Sequence, residues 1–192
     1  MALPDVFLKK SVRPFAGEAG ELAPDIGGAI PARVIPFTLQ QQQQTQWCWS
    51  AVSVSISVHY RPSSSWTQCR LANQELSQTT CCSDGSSSIC NEPRSLASAL
   101  THTSSLLQGP LTPLSFNDIK REIDAGRLVG CRVQWPDGSG HFVVISGYKD
   151  EQGVRWIEVR DPSDASRADY TFTSFLNQYR LTGTCTHSYL TS

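Results

Sequence analysis

The chain is short of charge, of methionine and of long apolar runs. Only 17% of its 192 residues are charged, it holds a single methionine, and its net charge is −1. Sixteen basic residues are scattered through the sequence. No stretch therefore carries the clustered positive potential that nucleic acid or an anionic membrane surface requires. No run approaches the eighteen consecutive apolar residues of a membrane-spanning helix, and the clearest one, Phe142 to Ile145, is strand-sized. A secretory signal is not apparent at the N-terminus either, because Lys9 and Lys10 follow a short apolar patch instead of preceding a long one. A composition that is 39% hydrophobic excludes disorder of the whole chain and fits one globular domain.

Cysteine, by contrast, is plentiful. Cys69, Cys81, Cys82 and Cys90 crowd into 22 residues, Cys131 and Cys185 lie far downstream, and Cys48 stands apart. Setting Cys48 aside leaves six, an even number that permits up to three disulfides. The cluster contains no C-x-x-C pair, and adjacent Cys81 and Cys82 cannot readily present both sulfurs tetrahedrally to one zinc, so crosslinks are expected instead of a metal site. Cys81 and Cys82 would then bond to different partners among Cys69 and Cys90, with the connectivity open. Cys131 and Cys185 form either a third bridge or two buried thiols. No cofactor is expected. Such cysteine usage suits secretion or translocation by a route other than a signal peptide, with the cytoplasm as the alternative.

Residues 1–34 carry four glycines and little periodicity, and read as a flexible leader or loosely docked arm before a domain spanning 35–192. A short strand is expected at Arg33 to Leu39. Short helices are expected within Gln68 to Gln78 and Glu92 to Thr103, the second with Leu96 and Leu100 on one stripe. Gly109-Pro110-Leu111-Thr112-Pro113 should break the chain. Ser115 can cap a helix from Phe116 to Ala125, with Gly126 as its left-handed stop. Beyond that, Leu128 to Trp135, Phe142 to Tyr148 and Arg155 to Val159 read as strands of a meander, with turns at 136–140 and 149–153. A short helix at Thr171 to Tyr179 and a closing strand at Gly183 to Leu190 complete an α+β fold.

The most distinctive stretch is Trp47-Cys48-Trp49-Ser50-Ala51, reached through five glutamines, Gln40 to Gln44. Thiol chemistry needs a thiolate, a base that shares its proton and a third group that orients the imidazole. Cys48, His141 and Asp161 supply those types. If the strands after His141 and before Asp161 pair through the turn between them, both residues come to the same edge of the sheet. After Cys48, the alternation Ala51-Val52-Ser53-Val54-Ser55-Ile56-Ser57-Val58 has the period of a half-buried strand.

Gln42 with Trp47-Cys48-Trp49-Ser50-Ala51, then Gly140-His141-Phe142-Val143-Val144-Ile145-Ser146-Gly147-Tyr148 and Val159-Arg160-Asp161-Pro162, resemble a papain-like cysteine peptidase of bacterial type, in the group of self-processing avirulence effectors and double-glycine-leader peptidases. The resemblance implies a helix beginning at Cys48, against the strand-like alternation, within a helical lobe of about 46–126 packed on an antiparallel sheet lobe of about 127–192. It further implies that Cys48 attacks the scissile carbonyl, that His141 protonates the leaving amine, and that Asp161 stands where asparagine often does. Gln42 has the spacing of the oxyanion donor, with Gln43 and Gln46 as alternatives. Protein or peptide substrates, a monomer, and self-cleavage near Gly27-Gly28 are further implications. The competing readings are acyl transfer or deamidation of transglutaminase type by the same triad, and a non-catalytic, disulfide-rich interaction module.

Overall fold

Residues 32–192 are described by the computed structural model, so Gly27-Gly28 and most of the 1–34 leader lie outside the described residues. Helix α1 (Cys48–Tyr60) begins at the thiol. It is buried on every side from Cys48 to Ser57. The helical ladder satisfies its backbone, so its alternating serines need only local partners. Ser50 donates to the Gln68 carbonyl (3.0 Å), Ser55 donates to the Ala51 carbonyl one turn back (2.7 Å), and Ser57 pairs with Ser64 (2.9 Å). Burial all round removes the polar face that periodicity needs, and the strand-like pattern loses to that environment.

Around α1 pack α2 (Gln68–Leu76) and α3 (Leu96–His102), with Leu96 and Leu100 fully buried. Their first turns are capped by Thr67 and Ser95, whose hydroxyls accept from the amides of Arg70 and Ser98. Helix α4 (Phe116–Asp124) is capped by Ser115 and followed by Gly126 at φ +76°. Helix α5 (Phe172–Gln178) is capped by Thr171. Among the described helices only α1 lacks a side-chain cap, at Trp47. Its first amides face the ground ahead of Cys48.

Among the described residues seven strands form one antiparallel sheet: β1 (Ala32–Val34), β2 (Leu106–Leu111), β3 (Val129–Gln134), β4 (Gly140–Glu151), β5 (Val154–Asp161), β6 (Ser166–Thr171) and β7 (Thr184–Thr191). The order is β2-β7-β3-β4-β5-β6, and β1 joins β4 beyond the end of β3. Four expectations need correction. The strand near Arg33 to Leu39 keeps its ladder only to Val34, after which Ile35, Phe37 and Leu39 plug the core in extended chain. The break expected at Gly109–Pro113 falls only after Leu111, because β2 runs, with shifts of register, through a cis Gly109–Pro110 bond at the sheet edge, where a missing N–H is tolerated. Strand β6 was not expected, since Ser166-Arg167-Ala168-Asp169-Tyr170-Thr171 is polar and serves only as an edge. The loop at 149–153 shrinks to Gln152-Gly153, both at positive φ, so β4 and β5 run longer. Sheet strands thus come from before residue 127 as well as after it, while α4 rests on β4, β3 and β1.

Cys69 bonds to Cys82 and Cys81 to Cys90, whereas Cys131 and Cys185 are buried free thiols. The two bridges fold the loop after α2 back over Trp47, whose indole N–H donates to the Cys90 carbonyl (2.7 Å). Gly85 lets that loop lie against the ring, where a Cβ would sit 2.9 Å from Trp47 Cζ-side carbon Cη2. Replacing Cys81 and Cys90 together by serine should lower unfolding stability by about 2–3 kcal/mol, through the loop entropy returned to the unfolded chain. Denaturant melts of the oxidised proteins check this; an unchanged midpoint would rule it out.

Candidate active site

Strands β4 and β5 begin their pairing at Glu151↔Val154 and keep one register as far as Gly147↔Glu158. From Ile145↔Val159 and Val144↔Arg160 onward the register is shifted by one residue, with Ser146 as the extra one. In the first register Asp161 would oppose Val144 and share its face, while His141 pointed to the other side. In the shifted register the position opposite Asp161 is Val143, on the same face as His141. The bulge brings the two side chains together, and His141 Nε2 meets Asp161 Oδ1 at 2.7 Å.

The bulge is itself held. The Ser146 hydroxyl donates to buried Glu158 (2.8 Å) and accepts from Arg160 Nε (3.2 Å), while its carbonyl accepts the Ile35 amide (2.8 Å). Glu158 is balanced by Arg160 (3.0 Å) and Arg167 (2.6 Å). At Gly147 a Cβ would lie 2.9 Å from the Arg33 carbonyl, so glycine is required for β1 to approach.

The Asp161 side chain is only 4% exposed and carries a full set of partners. Oδ1 takes His141, the Ser163 amide (2.9 Å) and the Ser163 hydroxyl (2.7 Å). Oδ2 takes the Tyr179 hydroxyl (2.6 Å) and the Arg180 guanidinium (3.1 Å). Tyr179 and Arg180 were not foreseen from sequence. They reach the carboxylate because a tight loop closes on itself, with Tyr179 N–H donating to the Gly183 carbonyl and Gly183 N–H to the Tyr179 carbonyl, both at 2.8 Å. Ser163 carried a readable signal, since Asp-Pro-Ser is an aspartate-led turn.

Burial opposes the charged form of His141, but the Asp161 hydrogen bond and the neighbouring Cys48 side chain outweigh it and raise its pKa to about 9. Burial likewise opposes the Asp161 carboxylate. The His141, Tyr179 and Ser163 hydrogen bonds override it and hold the group well below the usual carboxylate range. With Nε2 committed to Asp161, Nδ1 is the ring nitrogen without a partner among the described residues, and the Cys48 side chain is one of the neighbours that raise the imidazole's pKa.

The glutamine run is a strap pinned on both sides. Gln40 N–H donates to Ser55 Oγ (2.9 Å), Gln42 N–H to the Pro162 carbonyl (2.8 Å) and Gln43 N–H to buried Gln68 Oε1 (2.9 Å). Gln42 lines a cleft of about 200 Å³ with Thr45, Trp135, His141, Asp161 and Arg180. Its Nε2 donates to the Gln44 and Thr45 carbonyls (3.0 and 2.9 Å), and its Oε1 is buried without a partner among the described residues. Gln43 and Gln46 are exposed, and the Gln46 N–H is occupied by Asn91 (2.9 Å).

The charge pair fixes a pH window for stability. His141 has a folded pKa above its ordinary 6.5, so its contribution is complete below about pH 6.5 and lost as pH rises through about 9. Asp161, with a depressed pKa, contributes above the ordinary carboxylate range and loses that contribution as pH falls. A shift from 6.5 to about 9 corresponds to on the order of 3 kcal/mol. Melting temperatures of the wild type should therefore fall between pH 6.5 and 9.5, and Asp161→Asn should flatten that slope. An equally steep slope in the variant would contradict the pairing.

Residues 31–180 match the family described as papain-like cysteine protease AvrRpt2. Among solved structures, the crystal structure of the Pseudomonas avirulence protein AvrPphB is similar at 10% identity, covering 81% of this chain and 97% of that chain with a TM-score of 0.38, a loose likeness. No curated protein matches. The family match spans most of the chain and includes Cys48, His141 and Asp161, and it sets aside the reading as a non-catalytic module. This chain belongs to the AvrRpt2 family of papain-like cysteine proteases.

Proposed function

We propose that the chain is an endopeptidase in which Cys48, His141 and Asp161 act as a catalytic triad through a thioester acyl-enzyme. The observation that carries this reading is the His141–Asp161 pair, whose imidazole is made more basic by the carboxylate and by the neighbouring Cys48 side chain. The raised basicity of His141 favours the imidazolium at neutral pH, and the uncapped start of α1 supplies amides and a positive helix end at the Cys48 position. Cys48 Sγ attacks the scissile carbonyl, and the tetrahedral oxyanion forms near the Cys48 backbone N–H. As the C–N bond breaks, the proton on His141 passes to the departing amine, leaving the thioester. Water, deprotonated by the now neutral His141, attacks the thioester, and the thiolate leaves with the imidazolium restored.

Asp161 fixes the ring orientation throughout and, fully hydrogen-bonded, stays ionised. Gln42 supplies the second oxyanion donor by turning its amide from the Gln44 and Thr45 carbonyls toward the developing charge. In this reading the helices around α1 form one lobe and the sheet the other, in a papain-like arrangement with the cleft between them. The substrate is a protein, as the protease family implies. Cleavage near Gly27-Gly28 by the same site would detach the chain up to that point and leave β1 with the domain.

Cys48→Ala should lower peptide hydrolysis by about 10³-fold or more while leaving the melting curve intact. Labelling with an epoxide inhibitor of papain-type enzymes should modify Cys48, located by peptide mapping, and retained hydrolysis in the alanine variant would refute the nucleophile. Asp161→Asn should be milder, within about 10²-fold, because an amide oxygen still accepts the imidazole N–H. Intact mass of the wild type compared with Cys48→Ala tests the processing step, and equal masses would dispose of it.

A further inference from the structure

The group that protonates the leaving amine must stand on the leaving-group side of the scissile bond. On the proposed reading that group is His141, so the substrate chain beyond the cut runs past His141 and away from α1. On that side the cleft continues over Trp135, which also borders a second depression of about 330 Å³ formed with Gln134, Pro136, Thr182, Thr184 and Thr186. An extended chain advances about 3.3–3.6 Å per residue, so two residues span the breadth of one indole.

The chemistry of that depression is specific. Trp135 and Pro136 offer an apolar wall for a side-chain stem. The hydroxyls of Thr182 and Thr184 have no protein partner among the described residues. Gln134 Oε1 and Thr186 Oγ1 both receive Arg132 Nη1, at 3.0 and 3.1 Å, and His187 Nδ1 lies 3.0 Å from the same Thr186 oxygen. Arg132 is half-buried and forms no ion pair among the described residues. Gly140 makes room for it, because a Cβ there would sit 2.8 Å from Arg132 Nη2. The acidic groups of this end of the cleft are already engaged. Asp137 is turned into its own loop by the Ser139 amide and hydroxyl (2.9 and 2.6 Å), and Arg180 answers both Asp161 and Asp164. A guanidinium without a counter-charge therefore underlies a polar pocket on the path of the leaving strand.

We propose that this depression is a specificity subsite for an acidic side chain, aspartate or glutamate, at one of the first two residues after the scissile bond. The carboxylate accepts from the Thr184 hydroxyl and displaces Gln134 or Thr186 as the acceptor of the Arg132 fork, for which a planar guanidinium is suited. Arg132 in this role selects substrate and takes no part in bond making.

The test is digestion of a proteome-derived peptide library by the wild type, by Arg132→Gln and by Arg132→Lys, with the new N-termini identified by mass spectrometry. Epoxide labelling of Cys48 in each protein runs in parallel as a readout of the catalytic machinery. Wild type should enrich aspartate and glutamate in the first two positions after the cut. For a matched peptide pair, Arg132→Gln should lower kcat/KM for the acidic member by about tenfold and leave the neutral member unchanged, with Arg132→Lys in between. Cuts without acidic enrichment, or enrichment that survives Arg132→Gln, overturn the subsite and leave the peptidase reading standing. A wild type that neither cuts nor labels overturns the peptidase reading and the subsite with it.

Discussion

One extra residue in a strand decides whether His141 and Asp161 meet at all. Without Ser146 in the β4–β5 ladder, Asp161 would lie on the face of the sheet opposite His141, and no adjustment of rotamers would reunite them. The structure treats that bulge as something to be held. A buried serine hydroxyl, a buried glutamate and two arginines form a compact polar cluster at the shift, and it is sealed from the side by the close approach of β1 at Gly147 and by the amide of Ile35, the residue after β1. Leaving any member of such a cluster unpaired would cost about 1–3 kcal/mol, more for the charged groups. The register is therefore specified by polar complementarity as well as by the apolar face.

The second constraint is the join between the helices and the sheet. Cys48 belongs to a helix packed against β4, and His141 belongs to β4 itself, so their separation is fixed by core packing. The glutamine strap adds a direct tie. It runs between Ser55 and Gln68 on the helical side and Pro162 and Ser163 on the sheet side, so the residue bearing the cleft-lining amide is anchored to the turn that follows Asp161. A glutamine tract suits that task because each residue brings a long amide that can donate and accept at once.

Much of this was readable from residues alone, and what was not has identifiable causes. Caps and stops such as Ser115 and Gly126 act locally, so their helix was legible to within a residue. The His141–Asp161 meeting followed from hairpin topology, but counting outward from the turn gives the wrong face without the bulge, and the one local sign of it, Gly147 inside a strand, marks a close backbone approach equally well. Helix α1 defeated periodicity because it has no solvent face. Tyr179 and Arg180 were invisible because they reach Asp161 through a loop closure around Gly183, where a Cβ would lie 2.5 Å from Val133 Cγ1. That glycine is dictated by a contact fifty residues away in the chain. The pairing of four clustered cysteines was open for the same reason, since it is set by how the loop drapes over Trp47.

The carboxylate itself poses a question of electrostatics that the surrounding residues answer. A buried charge beside a histidine can either strengthen the imidazolium or take its proton, and which happens depends on how well the anion is satisfied. Here five hydrogen-bonding or ionic contacts converge on Asp161, and Arg180 carries part of its charge outward to Asp164 at the rim. The result is a row of alternating charges from imidazolium to Asp164. Because the anion is so fully stabilised, protonating Asp161 would weaken those contacts and forfeit the ion pair with Arg180, so the proton stays on the imidazole. Tyr179 and Arg180 thus make an aspartate behave as a fixed acceptor, the role a neutral amide fills without help. An aspartate at this position is sustainable because the β6–β7 connection delivers a phenol and a guanidinium to it.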